Sequence, residues 1–523
     1  MTTSRRQPAQ ETLSRAVFPP RVWLIAFSTA LALYVATAGR TVQWQDSGWQ
    51  QWRIVSGEIT HTAGLALTHP LQYYLGRFSL RLLPFLEPAH AITLVSALAG
   101  AIAVANLAAL AWMLTRRASA TFVCAASFGL AHTVWQFATH TESYALVNAL
   151  LTAEWLGLLM FARGNRPAWL LLTFAANGLG VANHPLALLA TPMDVAVLAI
   201  TVTRRRATAA LALAACAVWL LGASPYWTLI VQQAAHSGDV AATLHSALFG
   251  KYASAVLNTG FAPKDLALSA AFVVYNFPNL ALPLAAVGLV LIRRMPATPA
   301  MLRIVWWTEL ALYALFVLRY SIPDRYTFFG PAYALLALFA GVGLHILLSG
   351  SLPLRRPLAI ATMLTAIWNP LVYAAAARTL ESRNALSELV GNKPYRNGYR
   401  TFLIPWGVGD DSAARAVRDT LAAAGENGVV LLQPNMIKHA FLYERALGRV
   451  PPAVTYIWVG RDGLDPDRHA QALAAWRAGR PIVLIPEDRD RPIAPLPGAR
   501  WERRGDVYVA VAATPASSGD GSP

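Results

Sequence analysis

Apolar runs of about twenty residues recur along the chain to about residue 378, separated by short polar stretches. They fall at 22–38, 91–114, 119–138, 143–162, 167–183, 186–203, 207–230, 266–292, 302–319, 326–348 and 357–377, each suited to cross hydrocarbon as a helix. The pattern predicts about eleven transmembrane helices. Residues 39–90, between the first two runs, are too long and too patterned for a plain connector. There Trp49, Trp52 and Ile54, then Leu71, Tyr74, Leu75, Phe78 and Leu82, recur at helical spacing, which predicts two helices lying along the membrane surface. From Leu380 onward polar residues return. Val429–Leu432, Val454–Val459, Ile482–Ile485 and Val507–Val511 read as strands, and 411–424, 435–447 and 468–479 as helices. They predict a small α/β domain over 379–513, followed by an Ala/Ser/Gly/Pro tail at 514–523 whose composition predicts disorder.

Composition agrees with a membrane protein and changes one reading. Of 523 residues, 56% are hydrophobic and only 13% charged, with mean hydropathy +0.42; a soluble domain carries about a quarter charged residues. The net charge of +16 would suit nucleic acid if the arginines formed one surface. Instead they cluster between apolar runs, at Arg116-Arg117, Arg163 with Arg166, Arg204 to Arg206, Arg293-Arg294 and Arg355-Arg356. Alternate loops lack such clusters, which is the signature of membrane topology and excludes nucleic acid as the partner. The basic tail 1–21 is therefore expected in the cytoplasm, and 22–378 forms the membrane domain. With an odd number of spans, residues 379–513 are expected outside. The run 22–38 ends in Ala36-Thr37-Ala38, as a cleaved signal does, but Arg21 opens it directly and it is long enough to span, so it is read as an uncleaved first helix. Cys124 and Cys216 lie inside apolar runs, and no disulfide framework follows from them.

This orientation gathers the chemistry on one face. Asp46, Glu58, His61 and His69 fall in the first external loop, His140 and Glu142 in the second, Asn183 and His184 in the third. Val231 to Asp265 form the fourth, with His236, His245 and Lys251, and Arg319, Asp324 and Arg325 belong to the fifth. Glu142 sits so close to hydrocarbon that it is costly without a partner or a task. It could cap a helix start, assist Asp46, or bind a divalent cation with it; no compact ligand spacing decides for a metal, and the ligand set is unknown. Glu58 and His61 could face a cleft or simply keep a surface helix wet. Pro70 and Pro185 restrict His69 and His184 to extended backbone. Glu154, Asp194 and Glu309 lie within the spans, where ionisable groups suggest a pathway or a buried network. The C-terminal domain carries no Gly-rich phosphate loop, CxxC or Gly-x-Ser-x-Gly; Gln433-Pro434-Asn435 at a strand end is its ligand candidate.

Five motifs in order, Asp46-Ser47-Gly48, Thr68-His69-Pro70, Glu142-Ser143-Tyr144-Ala145-Leu146, Gly180-Val181-Ala182-Asn183-His184-Pro185-Leu186 and Ile322-Pro323-Asp324-Arg325-Tyr326-Thr327-Phe328-Phe329-Gly330-Pro331, resemble the GT-C superfamily of membrane glycosyltransferases. Within it the closer likeness is to the protein O-mannosyltransferase-like family, bacterial in the main with a eukaryotic relative. Trp49 stands where that family usually has Glu, and Leu71-Gln72-Tyr73-Tyr74 where it has Pro-Gly-Tyr-Pro. The resemblance implies a GT-C like polytopic α-helical membrane protein with a small extracytoplasmic α/β domain, in a bacterial inner (plasma) membrane. It implies transfer of a sugar, mannose or another hexose, from a polyprenyl-phosphate donor to an extracytoplasmic protein, lipid or glycan acceptor, with inversion. Asp46 would be the base and Glu142 its catalytic partner. Glu58, His61, His69, His140, Asn183, His184, Arg319, Asp324 and Arg325 would bind substrate, the arginines holding the donor's phosphate. The alternative function is a lipid-linked transporter or a non-catalytic scaffold with a sensing domain, which would depend on the intramembrane carboxylates instead.

Overall fold

The computed structural model describes residues 17–60, 62–322, 324–350, 353–433, 436–460, 464–487 and 496–512. His61, Pro323, Pro434, Asn435 and the tail from 513 lie outside them. The protein is a multi-pass membrane protein with a small α/β domain at its C-terminal end. The first span, α1 (Pro20–Thr37), is followed by the two helices of the first loop, α2 (Gln45–Ser56) and α3 (Pro70–Leu82). Next come α4 (Pro88–Thr115), α5 (Ala118–Gly129), α6 (His132–Thr139), α7 (Tyr144–Gly164), α8 (Pro167–Asn183), α9 (Thr191–Thr203), α10 (Ala209–Ser237) and α11 (Val240–Leu248). The membrane domain closes with α12 (Pro263–Asn276), α13 (Ala281–Leu291), α14 (Ala300–Arg319), α15 (Gly330–Ser349), α16 (Arg355–Ile367) and α17 (Asn369–Ser382). Proline at the first turn of α1, α3, α4 and α8 starts each where a backbone N–H would lack a partner anyway.

Among the described residues six helices are long and apolar enough to cross a membrane, or nine if each bent pair counts as one span. The predicted run 119–138 is broken into α5 and α6 at 62°, 266–292 into α12 and α13 at 104°, and 357–377 into α16 and α17 at 50°. α8 and α9, at 17 and 13 residues, are shorter than these spans. The three breaks meet at one polar junction. Thr133 N–H donates to Asn276 Oδ1 (2.8 Å), and Leu130 C=O accepts from Asn369 Nδ2 (3.1 Å) and the Tyr373 hydroxyl (3.0 Å). Asn279 Nδ2 donates to Asn369 Oδ1 at 3.0 Å. Backbone freed at a break inside hydrocarbon must be satisfied by protein, and each break supplies groups for another. Burial separates core from rim: 78% of α4, 83% of α7 and 72% of the α15 span are buried, against 11% of α1 and 17% of α10. α13 crosses α15 at Gly288 and Gly343, where a Cβ would stand 1.9 and 2.1 Å from the facing carbonyl oxygens of Phe339 and Leu284. Only glycine allows the two backbones that close.

The C-terminal domain holds α18 (Ser412–Ala424), β1 (Val429–Leu432), α19 (Lys438–Ala446), β2 (Thr455–Trp458), α20 (Pro466–Arg477), β3 (Ile482–Ile485), β4 (Ala499–Arg504) and β5 (Val507–Ala512). Sheet order is β2-β1-β3-β5-β4, parallel across the first three strands and antiparallel in the terminal hairpin. Val430 and Leu432 pack with α18 and α19 on one face, Val429 and Leu431 with α20 on the other, which is why β1 and β3 read as continuous apolar runs. The edge strand β4, Ala-Arg-Trp-Glu-Arg-Arg, is mostly exposed and carries no apolar pattern, so the sequence reading missed it. The domain is not free-standing: Val42 and Ala89 of the first loop are part of its core, with Trp44 and Trp52 packed against them. Arg449 grips Glu87 with both terminal nitrogens (2.9 and 3.0 Å), and Trp44 Nε1 donates to Ser412 Oγ at 2.7 Å.

Candidate active site

Asp46 is the second residue of α2, and the turn that delivers it is tight. Gln45 has φ +56, a left-handed conformation unusual for a residue with a side chain, and its N–H donates to Met436 C=O of the C-terminal domain at 3.0 Å. A Cβ on Gly48 would lie 2.2 Å from the Gln43 carbonyl oxygen. The glycine of Asp46-Ser47-Gly48 is therefore required by close backbone approach. The outer side of α2 is covered by α19, where the His439 ring stacks on Trp49 (4.7 Å, 9°) and Trp52 (5.7 Å, 19°).

Asp46 opens into a cleft of about 240 Å³ shared with Glu142, Asp324, His69, His184 and Lys251, and walled by Leu67, Leu189, Phe249, Tyr320 and Phe328. Four of these polar groups arrive from separate loops: the α6–α7 turn, the α14–α15 turn, the α8 end and the 3-10 turn Gly250–Tyr252. The Asp46 side chain is open to the cleft, yet the apolar walls around it strip away bulk water; that desolvation, reinforced by Asp324 and opposed by Lys251, raises its carboxyl to about 6. Glu142 is 8% exposed, and burial beside Asp46 raises it to about 8 against the hydrogen bonds from Ser47 Oγ to Oε1 (2.8 Å) and Gln50 Nε2 to Oε2 (3.1 Å). At neutral pH the pair holds one proton between them. Burial likewise raises Asp324, which faces the open cleft.

His69 and His184 stack at 5.0 Å and 16°. His69 Nδ1–H donates to Asn183 C=O at 2.9 Å, and His184 Nδ1 accepts from Leu186 N–H at 3.0 Å. Their partners thus fix opposite tautomers, leaving Nε2 of His69 an acceptor and Nε2 of His184 a donor. Burial lowers His69 to about 4 and His184 well below the usual imidazole range, so both are neutral at pH 7.

Other candidates stand elsewhere. Asn183 is fully buried and donates to Ser143 C=O at 2.9 Å, joining the α8 end to the loop that carries Glu142. Glu58 is exposed on the surface, and His61 lies outside the described residues. His140 lines a second, smaller cavity behind Glu142. Arg319 Nε–H donates to Asn258 C=O at 2.7 Å. Arg325, 4% exposed, pairs with Asp265 at 2.8 Å. Neither arginine lines the cleft; the cation that does is Lys251. The sequence reading placed Lys251 in the fourth loop but gave it no role. The loop is brought over the cleft by Lys251 N–H donating to Ala63 C=O (2.9 Å) and Leu65 N–H to Ser246 Oγ (3.0 Å), contacts between segments nearly two hundred residues apart. Among the described residues no three His, Cys, Asp or Glu side chains converge closely enough to hold a metal ion. Glu154 accepts from Asn177 (3.2 Å) and Glu309 from Trp155 (2.6 Å), both carboxylates being 1% exposed; with Asp194 they form a buried network that lines neither cavity.

This bundle of membrane helices, with an α/β domain docked on its first loop, shares its fold with a solved structure, ArnT. The crystal structure of ArnT from Cupriavidus metallidurans bound to undecaprenyl phosphate superposes over 93% of this chain and 97% of its own, with TM-score 0.58 at 15% identity. Its apo form does so over the same shares, with TM-score 0.54 at 16% identity. Residues 46–208 match the family described as protein O-mannosyl-transferase TMEM260 N-terminal domain. That segment runs from Asp46 through Glu142 to His184, so four of the five motifs fall within it. No curated protein sequence matches the chain.

Proposed function

We propose that the protein is an inverting glycosyltransferase that moves a sugar, mannose or another hexose, from a polyprenyl-phosphate donor to an acceptor hydroxyl on the outer side of the membrane. The observation that carries this reading is Asp46: a carboxylate open to the cleft and raised to about 6, facing a lysine and a wall of apolar side chains. ArnT, which shares the fold, binds undecaprenyl phosphate, and the arginine clusters support a cleft facing outward. The acceptor oxygen attacks C1 of the sugar from the face opposite the phosphate, and the C1–O bond breaks with its electron pair going to the phosphate. Asp46 takes the hydroxyl proton; a base titrating near 6 is ionised at pH 7 and still basic enough to be useful. Lys251 stands where it would stabilise the charge growing on the departing phosphate. Glu142, held at both oxygens by Ser47 and Gln50, is not free to attack carbon, which favours one displacement and inversion. A divalent cation, were one to take part, would have Asp46 and Glu142 to hold it and would supply charge stabilisation to the departing phosphate.

The test is transfer from polyprenyl-phosphate mannose in liposomes holding the purified protein. Asp46→Asn should lower the rate by about a hundredfold or more while the protein stays folded; full activity in that variant refutes the reading. Loss of transfer in EDTA would install the cation, and persistence would remove it. A transporter would leave the glycosidic bond intact and respond to Glu154, Asp194 or Glu309 instead.

A further inference from the structure

Glu142 is the one described residue that lines both cavities. Its Oε2 accepts from Gln50, which lines the cleft, and its Oε1 from Ser47, which lines the second cavity. Glu142 thus stands between the two spaces, held by one residue from the wall of each. The second cavity has a volume of about 60 Å³, too small for a sugar ring or a peptide but room for roughly four waters at 10–15 Å³ each. Its walls call for water. Gln43 and Gln136 are each 7% exposed, and Gln43 Nε2 and Gln136 Oε1 have no protein partner. The other ends are committed, Gln43 Oε1 to Thr141 N–H (2.9 Å) and Gln136 Nε2 to Thr401 C=O (3.1 Å), so neither amide can turn away. A buried donor and a buried acceptor facing one small polar space are what ordered water satisfies. His140 donates from Nδ1 to Gln136 C=O at 2.9 Å, which leaves its Nε2 as a further acceptor. Asp410, half-buried, completes the outer wall.

We propose that this chamber is a hydrated outlet for the proton that the acceptor hydroxyl loses. Resting on the reading of Asp46 as base, the step runs from Asp46 to Glu142, whose carboxyl takes a proton on its cleft side as it releases one to the chamber. Waters held by Gln43 and Gln136 carry it past His140 to Asp410 and the exterior. One proton enters and one leaves, no bond to carbon is involved, and Asp46 returns to its ionised form for the next turnover.

The full-length protein in liposomes tests this with Gln136→Leu and Ala413→Leu, which dry or fill the chamber and touch nothing in the cleft. Each should leave the donor KM within about twofold and lower kcat by about three- to tenfold, with a solvent deuterium isotope effect on kcat rising above about two. Imidazole at tens of millimolar should restore part of the rate, because a small diffusible base replaces the lost path. Unchanged kcat and isotope effect in the folded variants overturn the proposal. Should both variants fail to fold, Ala413→Cys in a Cys216→Ser background is capped after folding with methyl methanethiosulfonate. The same kinetic change on capping supports the outlet; a thiol that does not react, or reacts without effect, overturns it. An Asp46→Asn variant that still transfers sugar sinks the underlying reading instead, whereas an inactive Asp46→Asn beside fully active chamber variants sinks the outlet alone.

Discussion

The electrostatics of the cleft make a prediction with a definite sign. The Asp46 carboxyl is raised to about 6 because loss of bulk water within the cleft and the Asp324 carboxylate disfavour its charge more than Lys251 favours it. Removing the negative neighbour, Asp324→Asn, must lower that value, and removing the positive one, Lys251→Met, must raise it. Each effect should be on the order of half to one unit, the size expected of charges separated by a hydrated cleft rather than in contact. If ionised Asp46 is the active form, kcat/KM falls as pH drops through the Asp46 value. At pH 5 a group titrating at about 6 is roughly 9% ionised; lowered by about 0.7 it is roughly one third ionised. Asp324→Asn should therefore hold about fourfold more of its own plateau activity at pH 5 than the unaltered protein does, and Lys251→Met correspondingly less. The assay is kcat/KM for sugar transfer between about pH 4.5 and 7.5, each variant normalised to its plateau, since kcat/KM reports groups of the free enzyme. Amplitudes can fall in both variants through lost substrate contacts; the midpoints carry the information. Midpoints that move in the same direction, or not at all, would refute the assignment of Asp46 as the ionising base.

Three further outcomes follow from the same geometry. Lys251→Ala should raise the donor KM by about tenfold, the worth of one charge-assisted contact, whereas Arg319→Ala should change it less than about twofold, because Arg319 is spent on Asn258; KM measured on both tells the two cations apart. Arg325→Met removes the ion pair to Asp265, which is partly exposed and keeps its bond from Ser321, and should lower stability by about 1 kcal/mol, read as a lower thermal midpoint in detergent. His439→Ala removes both ring stacks on α2 and should cost about 1–3 kcal/mol. Its kcat should fall more than its KM rises if α19 positions Asp46.

Much of this architecture is written in local pattern. The two helices of the first loop are legible because their apolar residues repeat at helical spacing, and Asp46, Glu142, His69, Asp324 and His184 because each sits in a loop or at a helix end beside glycine, proline or aromatic residues. Lys251 and the arginines show where pattern ends. Arg319 and Arg325 flank Asp324 in sequence and invite a phosphate role. Their direction is settled instead by Asn258 and Asp265, which belong to a distant loop. Lys251 reaches the cleft only because its loop is tied to Ala63 and Leu65. Nothing within ten residues of Lys251 records that contact. The broken spans are hidden for a related reason: 119–138 is apolar throughout its break, and the bend depends on Asn276 and Asn369 meeting it from other helices.

The C-terminal domain had no evident task in the sequence, yet it bears on Asp46 more directly than most of the membrane domain does. The left-handed Gln45 costs on the order of 1–2 kcal/mol for a residue with a side chain. Such a conformation persists only where surroundings over-determine it. Here Met436 C=O accepts the Gln45 N–H, Ser412 holds Trp44 from below, and His439 covers Trp49 and Trp52. All three contacts come from the C-terminal domain, and all three fall within seven residues of Asp46. As the proposed base, Asp46 must be held to a fraction of an ångström to work, and the outer side of α2, a helix of twelve residues, is covered by α19. On that reading the docked domain is part of the site's framework, and a change at Ser412 or His439 should be felt as lost turnover before it is felt as lost fold.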